Sequence, residues 1–579
     1  MAANNFRNKK IHILQILPIA NLLYMHYSFY YSGSLEWTWQ YSEILNILSI
    51  IFDVTILYLV GLLLFLGRTK PAFGFSNLIT LIWAFVNTVY GRFFFQYLPL
   101  SAVAEAHGLQ EGIVIDSIIE EFRWTDLFFV ISFLLFIWQY RKIESFRIKT
   151  RIISKIVLIP VVSLILTIGV YSAYHFIHPK YRNNFDLLEF RIKEFLFDPI
   201  RGGTPNLAHF QTGCVRTITY ELYNTLTPFE LNDQQRKEIV TYYKDSSYRF
   251  TPHQTNPNIR NVIFILLESF LSSPIDLTID GKEITPFLNS LKRDSSVYYN
   301  GNVISDITCG ESGDGQFIYM NGILPLRYKM TVGQVKKNTL PALPKLLSEQ
   351  FGIKNTEIIQ PAGPNLWQQA DMNSVYGIQN MYSEKDIKQK LGTSNIDDAE
   401  IFEFASKKLP SSGDPFFSLI LSVSTHRPYD KFFGENLISG NNTLPVEYRN
   451  YLNTCHYTDT QLHRYFTALK EKNLYEHSLI IIAADHYAHL DALKMNKKIT
   501  RDTPLFIING NIKKDTAWTG EIHQLDVYTT ILNILGIDRE WKGLGHTIIA
   551  PTYKNSVDTH TYDISEMIIE GDYFRVDDH

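Results

Sequence analysis

The chain has 579 residues, with 54 Lys and Arg against 58 Asp and Glu and a net charge of −4. That length exceeds one ordinary domain, and the charge balance excludes the basic footprint of a nucleic-acid partner. Three cysteines, Cys214, Cys309 and Cys455, cannot build a disulfide framework.

Mean hydropathy is close to zero, yet most long apolar runs fall before residue 178. Five segments there approach or exceed the ~20 residues that cross a bilayer core. They are roughly Ile11–Tyr31, Ile44–Leu66, Phe73–Leu98, Thr125–Tyr140 and Ile152–Ile177. Pro18, Asn21 and His26 dilute the first, for which a cleaved signal peptide is the alternative; it is long for one and lacks a small-residue cleavage site. The fourth is short.

Basic residues mark alternate connections: Arg7, Lys9 and Lys10, then Arg68 and Lys70, then Arg141, Lys142, Arg147, Lys149, Arg151 and Lys155. The other connections carry Glu36 and Glu43, and Glu105, Glu111, Asp116, Glu120 and Glu121. The positive-inside rule therefore puts the N-terminus in the cytoplasm and everything after residue 178 outside it. The expectation is a multi-pass protein of the cell membrane with a five-helix domain at 1–177, an interfacial linker at 178–258 and an extracytoplasmic catalytic domain at 259–579. Two charges fall inside spans, Asp53 and Arg92. Intramembrane charges face a partner or a cavity, so Arg92 either pairs with Asp53 or binds a lipid phosphate as a substrate contact. In "FDLLEFRIKEFLFD" (Phe185–Asp198) the apolar residues share one helical face. This helix either lies in the membrane interface or packs on the soluble domain.

After the linker, short apolar β-rich runs alternate with helical patterns, the signature of an α/β domain with a mostly parallel central sheet and helices on both faces. Candidate strands are Asn261–Leu267, Asn355–Ile359, Phe416–Ser424, Ser478–Ala484 and Pro504–Asn509, continuously hydrophobic as doubly covered strands are. Helices are expected at "TPFLNSLKRD", "LPALPKLLSEQ", "DTQLHRYFTALKE" and "LDVYTTILNIL".

The residues at the strand ends carry chemistry. The first strand ends in Glu268, the third runs into His426, and the fourth ends in Asp485 and His486. Ligands of open α/β sheets bind beyond the carboxyl ends of the strands, so these four would gather on one edge. Oxygen donors plus imidazole suit one divalent cation, Mn²⁺ first, with Mg²⁺ and Zn²⁺ as alternatives. Such an ion calls for an anionic substrate and a nucleophile. The stretch "CGESGDGQ" offers Ser312 where a helix begins, a position that favours an alkoxide and an attached phosphoryl group. Gly310 and Gly313 would leave room for a phosphodiester. Thr308 and Cys309 are the competing nucleophiles. His489 is either an extra ligand or a surface histidine.

The order "ILLES", "GESGDGQ", "STHRPY", "AADHY", behind five expected spans, resembles the lipoteichoic acid synthase group of the alkaline phosphatase/sulfatase superfamily. The similarity extends to "DGKEITPFLNSL" and to "HQLDVYTTILNILGID". The resemblance implies a sulfatase-like fold, with Glu268, Ser312, Asp485 and His486 as metal ligands, Ser312 as the nucleophile and His426 at the substrate phosphate. It also implies a head group taken from a membrane phospholipid donor and passed to a glycan or lipid acceptor, or to water. Where the family has a His and an Arg for glycerol phosphate, this chain has Gln360 and Gln369, with Trp367 retained. The transferred group is thus phosphoglycerol or phosphoethanolamine in type. A formylglycine sulfatase would need Pro and Arg around Ser312 or Cys309, and neither is there. A non-catalytic binding protein would have no use for nucleophile and ligands together.

Overall fold

The computed structural model describes residues 16–31, 40–94, 96–100, 121–177, 185–197, 205–227, 229–244, 248–327, 329–410, 413–438, 443–490, 500–513, 517–550 and 552–575. The expected charges at Arg7, Lys9, Lys10 and Glu36, and those from Glu105 to Glu120, lie outside the described residues. The chain divides near residue 228 into two compact units.

The N-terminal unit is helical. Helices Ile16–Tyr31, Gln40–Leu64, Thr69–Phe94, Leu127–Lys142 and Thr150–Ile177 fall at the five expected spans. Among the described residues, three stretches are long and apolar enough to cross a membrane: Ser42–Leu64, Thr69–Arg92 and Arg151–Ile177. The first and fourth helices have 16 residues each. Two of the basic connections meet. Ile148 N donates to Gly67 O at 3.0 Å and Thr69 N to Phe146 O at 3.0 Å, so Arg68 and Arg147 sit at the same end of this unit.

The two buried charges find partners other than each other, which corrects the expected Asp53–Arg92 pair. The Arg92 guanidinium makes a two-pronged bond to Asp126, 2.7 Å to Oδ2 and 2.8 Å to Oδ1, and it donates to Glu121 O at 3.0 Å. Asp53 instead accepts the amides of Cys214 at 2.6 Å and Val215 at 3.1 Å, the first two residues of helix Cys214–Leu226. A carboxylate there satisfies orphan N–H groups and complements the helix dipole. Gly213, at φ 87, makes the approach feasible: a Cβ would stand 2.7 Å from both Asp53 oxygens. The helix Phe185–Phe197 belongs to this unit, where Phe195 packs with Leu45 and Tyr171.

The C-terminal unit is built on an eight-stranded sheet. Its strands in chain order are β1 (Asn261–Leu267), β4 (Val297–Ile304), β5 (Asn355–Ile359), β6 (Asn380–Tyr382), β7 (Phe416–Leu421), β8 (Ser478–Ala484), β9 (Thr503–Ile508) and β10 (Ile522–His523), while β2 (Thr278–Ile279) and β3 (Lys282–Glu283) form a separate hairpin. The order across the sheet is β10-β4-β9-β8-β1-β7-β5-β6. Every neighbouring pair is parallel except those of β9, which runs antiparallel to both β8 and β4. The sheet is mostly parallel, as expected, with one reversed strand inside it.

Both faces are covered because β1 is apolar on both. Ile263, Ile265 and Leu267 join the core that holds Phe402, Leu462 and Phe466 of helices Asp398–Lys408 and Val446–Glu471. Phe264, pointing the other way, meets Tyr319 of helix Ser312–Asn321 with ring centroids 5.2 Å apart. The helices expected at residues 285–294, 340–350 and 525–535 form over Pro286–Arg293, Leu343–Phe351 and Leu525–Ile534, and the one expected from Asp459 starts earlier, at Val446.

Candidate active site

Register places the site. In adjacent parallel strands Leu267 pairs with Ala484, so Glu268 and Asp485 leave the sheet side by side. On the other flank Leu266 pairs with Leu421 of β7, and Ser422 Oγ accepts the Glu268 amide at 2.8 Å. The loop after β7, which ends in His426, is held by Asp398: Oδ1 accepts Val423 N at 2.8 Å and Ser424 N at 3.1 Å, and Thr458 Oγ1 donates to Oδ2 at 2.6 Å.

Helix Ser312–Asn321 starts at this same edge. Its entry loop is locked by Asp314, fully buried, whose Oδ2 accepts Thr308 N at 2.9 Å, Thr308 Oγ1 at 3.0 Å and Gly310 N at 2.8 Å. The competing nucleophiles are therefore engaged: Thr308 Oγ1 also donates to Leu326 O at 2.6 Å, and Cys309 Sγ to Arg327 O at 3.5 Å. The glycines serve packing rather than substrate room. A Cβ on Gly310 would meet Asp314 at 2.3 Å, one on Gly313 the Trp367 ring at 3.3 Å, and one on Gly315 the Asp485 carbonyl oxygen at 2.1 Å.

Ser312 Oγ lies 3.4 Å from Glu268 Oε2 and 3.3 Å from His486 Nε2. His486 Nε2 is 3.7 Å from Glu268 Oε1 and 3.7 Å from Asp485 Oδ2. The Tyr487 carbonyl, 2.9 Å from His486 Nδ1, can only accept, so Nδ1 carries a proton and Nε2 faces the carboxylates. Asp485 is oriented by bonds from Ser269 N at 2.8 Å and His486 N at 2.7 Å, and Gln524 Nε2 donates to its backbone carbonyl at 2.7 Å.

Electrostatics show what this group lacks on its own. Burial and the nearby Glu268 charge push the Asp485 carboxyl up to about 7. Burial works against charge on His486, but Asp485, Glu268 and Glu311 outweigh it and hold the imidazole up at about 9. A cluster that lifts a buried carboxyl and a buried imidazole together is short of positive charge. Glu268, Asp485 and His486 offer ligand atoms within 4.8 Å of one another, and this donor set fits a divalent cation.

His426 is half-buried beside Arg427, and desolvation first, then that guanidinium, bring it down to about 4, which keeps the ring neutral. Trp367 lies against helix Ser312–Asn321 through Gly313. Gln360 and Gln369 are both buried. Gln360 Nε2 donates to Ala362 O and Gly363 O, each at 3.2 Å. Gln369 exchanges bonds with Gln316 at 2.8 and 3.2 Å and donates to Asn373 at 2.9 Å. Both amides hold loop and helix in place. Arg92 is engaged by Asp126 in the other unit.

Glu311 escaped the sequence reading, and His489 stood there as either an extra ligand or a surface histidine. Glu311, at φ 46 just before Ser312, stands 3.8 Å from His486 Nε2. His489 has a side chain 9% exposed and sits 3.1 Å from Glu311. Positive φ at Ser269, Glu311 and Trp367 is the kind of local strain that functional sites retain. Only the short spacing from Asp485-His486 to His489 gave a signal beforehand; Glu311 gave none.

Several known proteins have similar chains. Residues 260–537 match the Sulfatase family. The chain is 27% identical over 320 residues to lipoteichoic acid synthase 2 of Bacillus subtilis (strain 168), a match that covers 52% of this chain and 48%, about half, of that relative. It is 24% identical over 582 residues to the lipoteichoic acid synthase of Staphylococcus saprophyticus subsp. saprophyticus, covering 94% of this chain and 84% of the relative. A crystal structure of the lipoteichoic acid synthase LtaP from Listeria monocytogenes aligns at 20% identity and TM-score 0.45, over 54% of this chain and 81% of that one. Residues 260–537 thus match the Sulfatase family model, within a chain similar to lipoteichoic acid synthases.

Proposed function

We propose that the protein is a membrane-anchored, metal-dependent transferase. It moves a phosphoglycerol-type head group from a phospholipid, through a covalent Ser312 intermediate, to a glycan or lipid acceptor outside the cytoplasm. The observation that carries this reading is the convergence of Ser312 with Glu268, Asp485 and His486 at one sheet edge. The resemblance to lipoteichoic acid synthases supports phosphoglycerol over phosphoethanolamine. The apolar helices support the anchor, and the paired basic turns support a cytoplasmic end of the helical unit.

Glu268, Ser312, Asp485 and His486 would hold one divalent cation, Mn²⁺ in our reading. When bound, it supplies positive charge for the phosphoryl oxygens and lowers the pKa of the Ser312 hydroxyl. Ser312 Oγ attacks the phosphorus, and the bond from phosphorus to the diacylglycerol oxygen breaks. That oxygen leaves with a proton as diacylglycerol. An acceptor hydroxyl then attacks the same phosphorus, the Ser312–phosphorus bond breaks, and Ser312 recovers a proton. His426 contacts the phosphate or leaving oxygen, and Trp367 walls the head-group pocket beside Gly313. Helix Ser312–Asn321 directs the positive end of its dipole at the phosphoryl group.

Full-length protein in membranes, given phospholipids of differing head group, tests this by mass spectrometry of the lipids. The reading expects diacylglycerol from phosphatidylglycerol and a matching mass gain on an acceptor. Free glycerol phosphate with no acceptor gain would instead make the protein a hydrolase.

A further inference from the structure

We propose that Glu311, His486 and His489 form a second, nitrogen-rich cation site, selective for Zn²⁺-like ions, that competes with the carboxylate-rich site for His486.

The two ligand groups overlap in one residue. Glu268, Asp485 and His486 make one, and Glu311, His486 and His489 the other, each with ligand atoms within 4.8 Å. In the second group Glu311 Oε2 is 3.1 Å from His489 Nε2 and 3.8 Å from His486 Nε2. An ion bound at the usual zinc distances separates neighbouring donors by about 3 to 3.5 Å, which the Glu311–His489 separation meets and the Glu311–His486 separation exceeds by a few tenths of an ångström. The three side chains are only 13%, 6% and 9% exposed, so their donors are fixed by packing. Glu311 has a positive φ of 46°.

The donor chemistry differs between the groups. Two carboxylates, a hydroxyl and one imidazole make a predominantly oxygen site, suited to Mn²⁺ or Mg²⁺, whereas two imidazoles and one carboxylate suit Zn²⁺. His486 Nε2 has a single lone pair, its Nδ1 being committed to Tyr487 O, and so serves one ion at a time. Charge points the same way. Glu268, Asp485 and Glu311 balance one divalent ion plus Arg427, which lies close enough to act on both Glu311 and His489. Zn²⁺ on the second site draws His486 from Glu268 and Asp485 and loosens the ion beside Ser312. The site stands whatever head group Ser312 carries.

The test uses full-length protein in detergent, with Mn²⁺ and Zn²⁺ alone as probes and the Mn²⁺ paramagnetic resonance signal plus chelator competition as readouts. His489→Ala should weaken Zn²⁺ binding at least about tenfold while Mn²⁺ affinity stays within about twofold. It should also raise by the same factor the Zn²⁺ needed to release Mn²⁺. Glu311→Gln, which keeps the side-chain shape, should act in the same direction and serves if the first variant does not fold. Unchanged Zn²⁺ affinity in both variants, or equal loss of Mn²⁺ and Zn²⁺, would overturn the proposal. Failure of wild-type protein to bind Mn²⁺ with Zn²⁺ binding intact would count against the proposed function instead.

Discussion

Ser312 Oγ and His486 Nε2 stand 3.3 Å apart although 174 positions separate them in sequence. The contact exists because a helix start and a strand end share one edge of the sheet. If Ser312 is the nucleophile, Ser312→Ala should lower turnover by at least about a thousandfold. Thermal stability should hardly move, since the hydroxyl is partly exposed and its bonds are long. Turnover and melting temperature, measured on the same preparation, check this.

Glu268 and Asp485 are charged groups that burial disfavours unless a cation is present. Glu268→Gln or Asp485→Asn should each weaken Mn²⁺ binding by on the order of a hundredfold. The same change should raise the melting temperature of the metal-free protein, because a buried repulsion is removed. Isothermal titration and calorimetry in chelator separate the two effects.

Metal affinity should depend on pH with a defined sign. His486 is held up at about 9 and Asp485 at about 7 without the ion, and both must be deprotonated to bind it. Between about pH 7 and 9 one proton is displaced, so affinity rises about tenfold per unit. Below about pH 7 Asp485 is protonated as well, and the slope approaches about a hundredfold per unit. Chelator competition from pH 6 to 9 reads this slope; a flat profile would contradict it.

Asp314 is a clamp, not an acid. Asp314→Ala leaves the amides of Thr308 and Gly310 unsatisfied in a buried loop, and should cost about 3 kcal/mol. Turnover should fall with the loosened Ser312. Denaturant unfolding of the full-length protein measures the first effect.

Arg92 and Asp126 form a buried pair. Removing Asp126 alone strands the guanidinium and should destabilise the helical unit by about 3–5 kcal/mol, while replacing both by apolar residues should recover most of that. A lipid-phosphate role for Arg92 would show instead as a raised KM for the phospholipid without loss of stability.

The strand ends were legible because buried parallel strands read as continuous apolar runs, and Glu268, Asp485 and His486 break those runs abruptly. Direction was not: a doubly buried strand such as β9 looks the same whichever way it runs. β4 was missed because Asn300, Gly301 and Asn302 interrupt its pattern, where the pairing with β9 shifts register. The glycines of "GESGDGQ" signalled close approach correctly, but the approaching groups are Asp314, Trp367 and the Asp485 backbone. Partner choice was the least legible. Arg92 takes Asp126 and Asp53 takes a helix start because packing of the helices decides distance, and sequence spacing does not. The "HQLDVY" segment read as a family mark; Asp526 explains it, accepting His523 N at 2.9 Å, His546 N at 2.7 Å and Tyr553 OH at 2.7 Å, which braces Gln524 under Asp485.

The central claim is that Ser312 carries the head group between donor and acceptor. Peptide mass spectrometry of full-length protein, quenched after incubation with Mn²⁺ and phosphatidylglycerol but no acceptor, tests it most directly. The account predicts a glycerol phosphate adduct on the peptide containing Ser312, formed in step with diacylglycerol and absent in Ser312→Ala. Diacylglycerol released by Ser312→Ala at the wild-type rate, or an adduct on another residue, would contradict it.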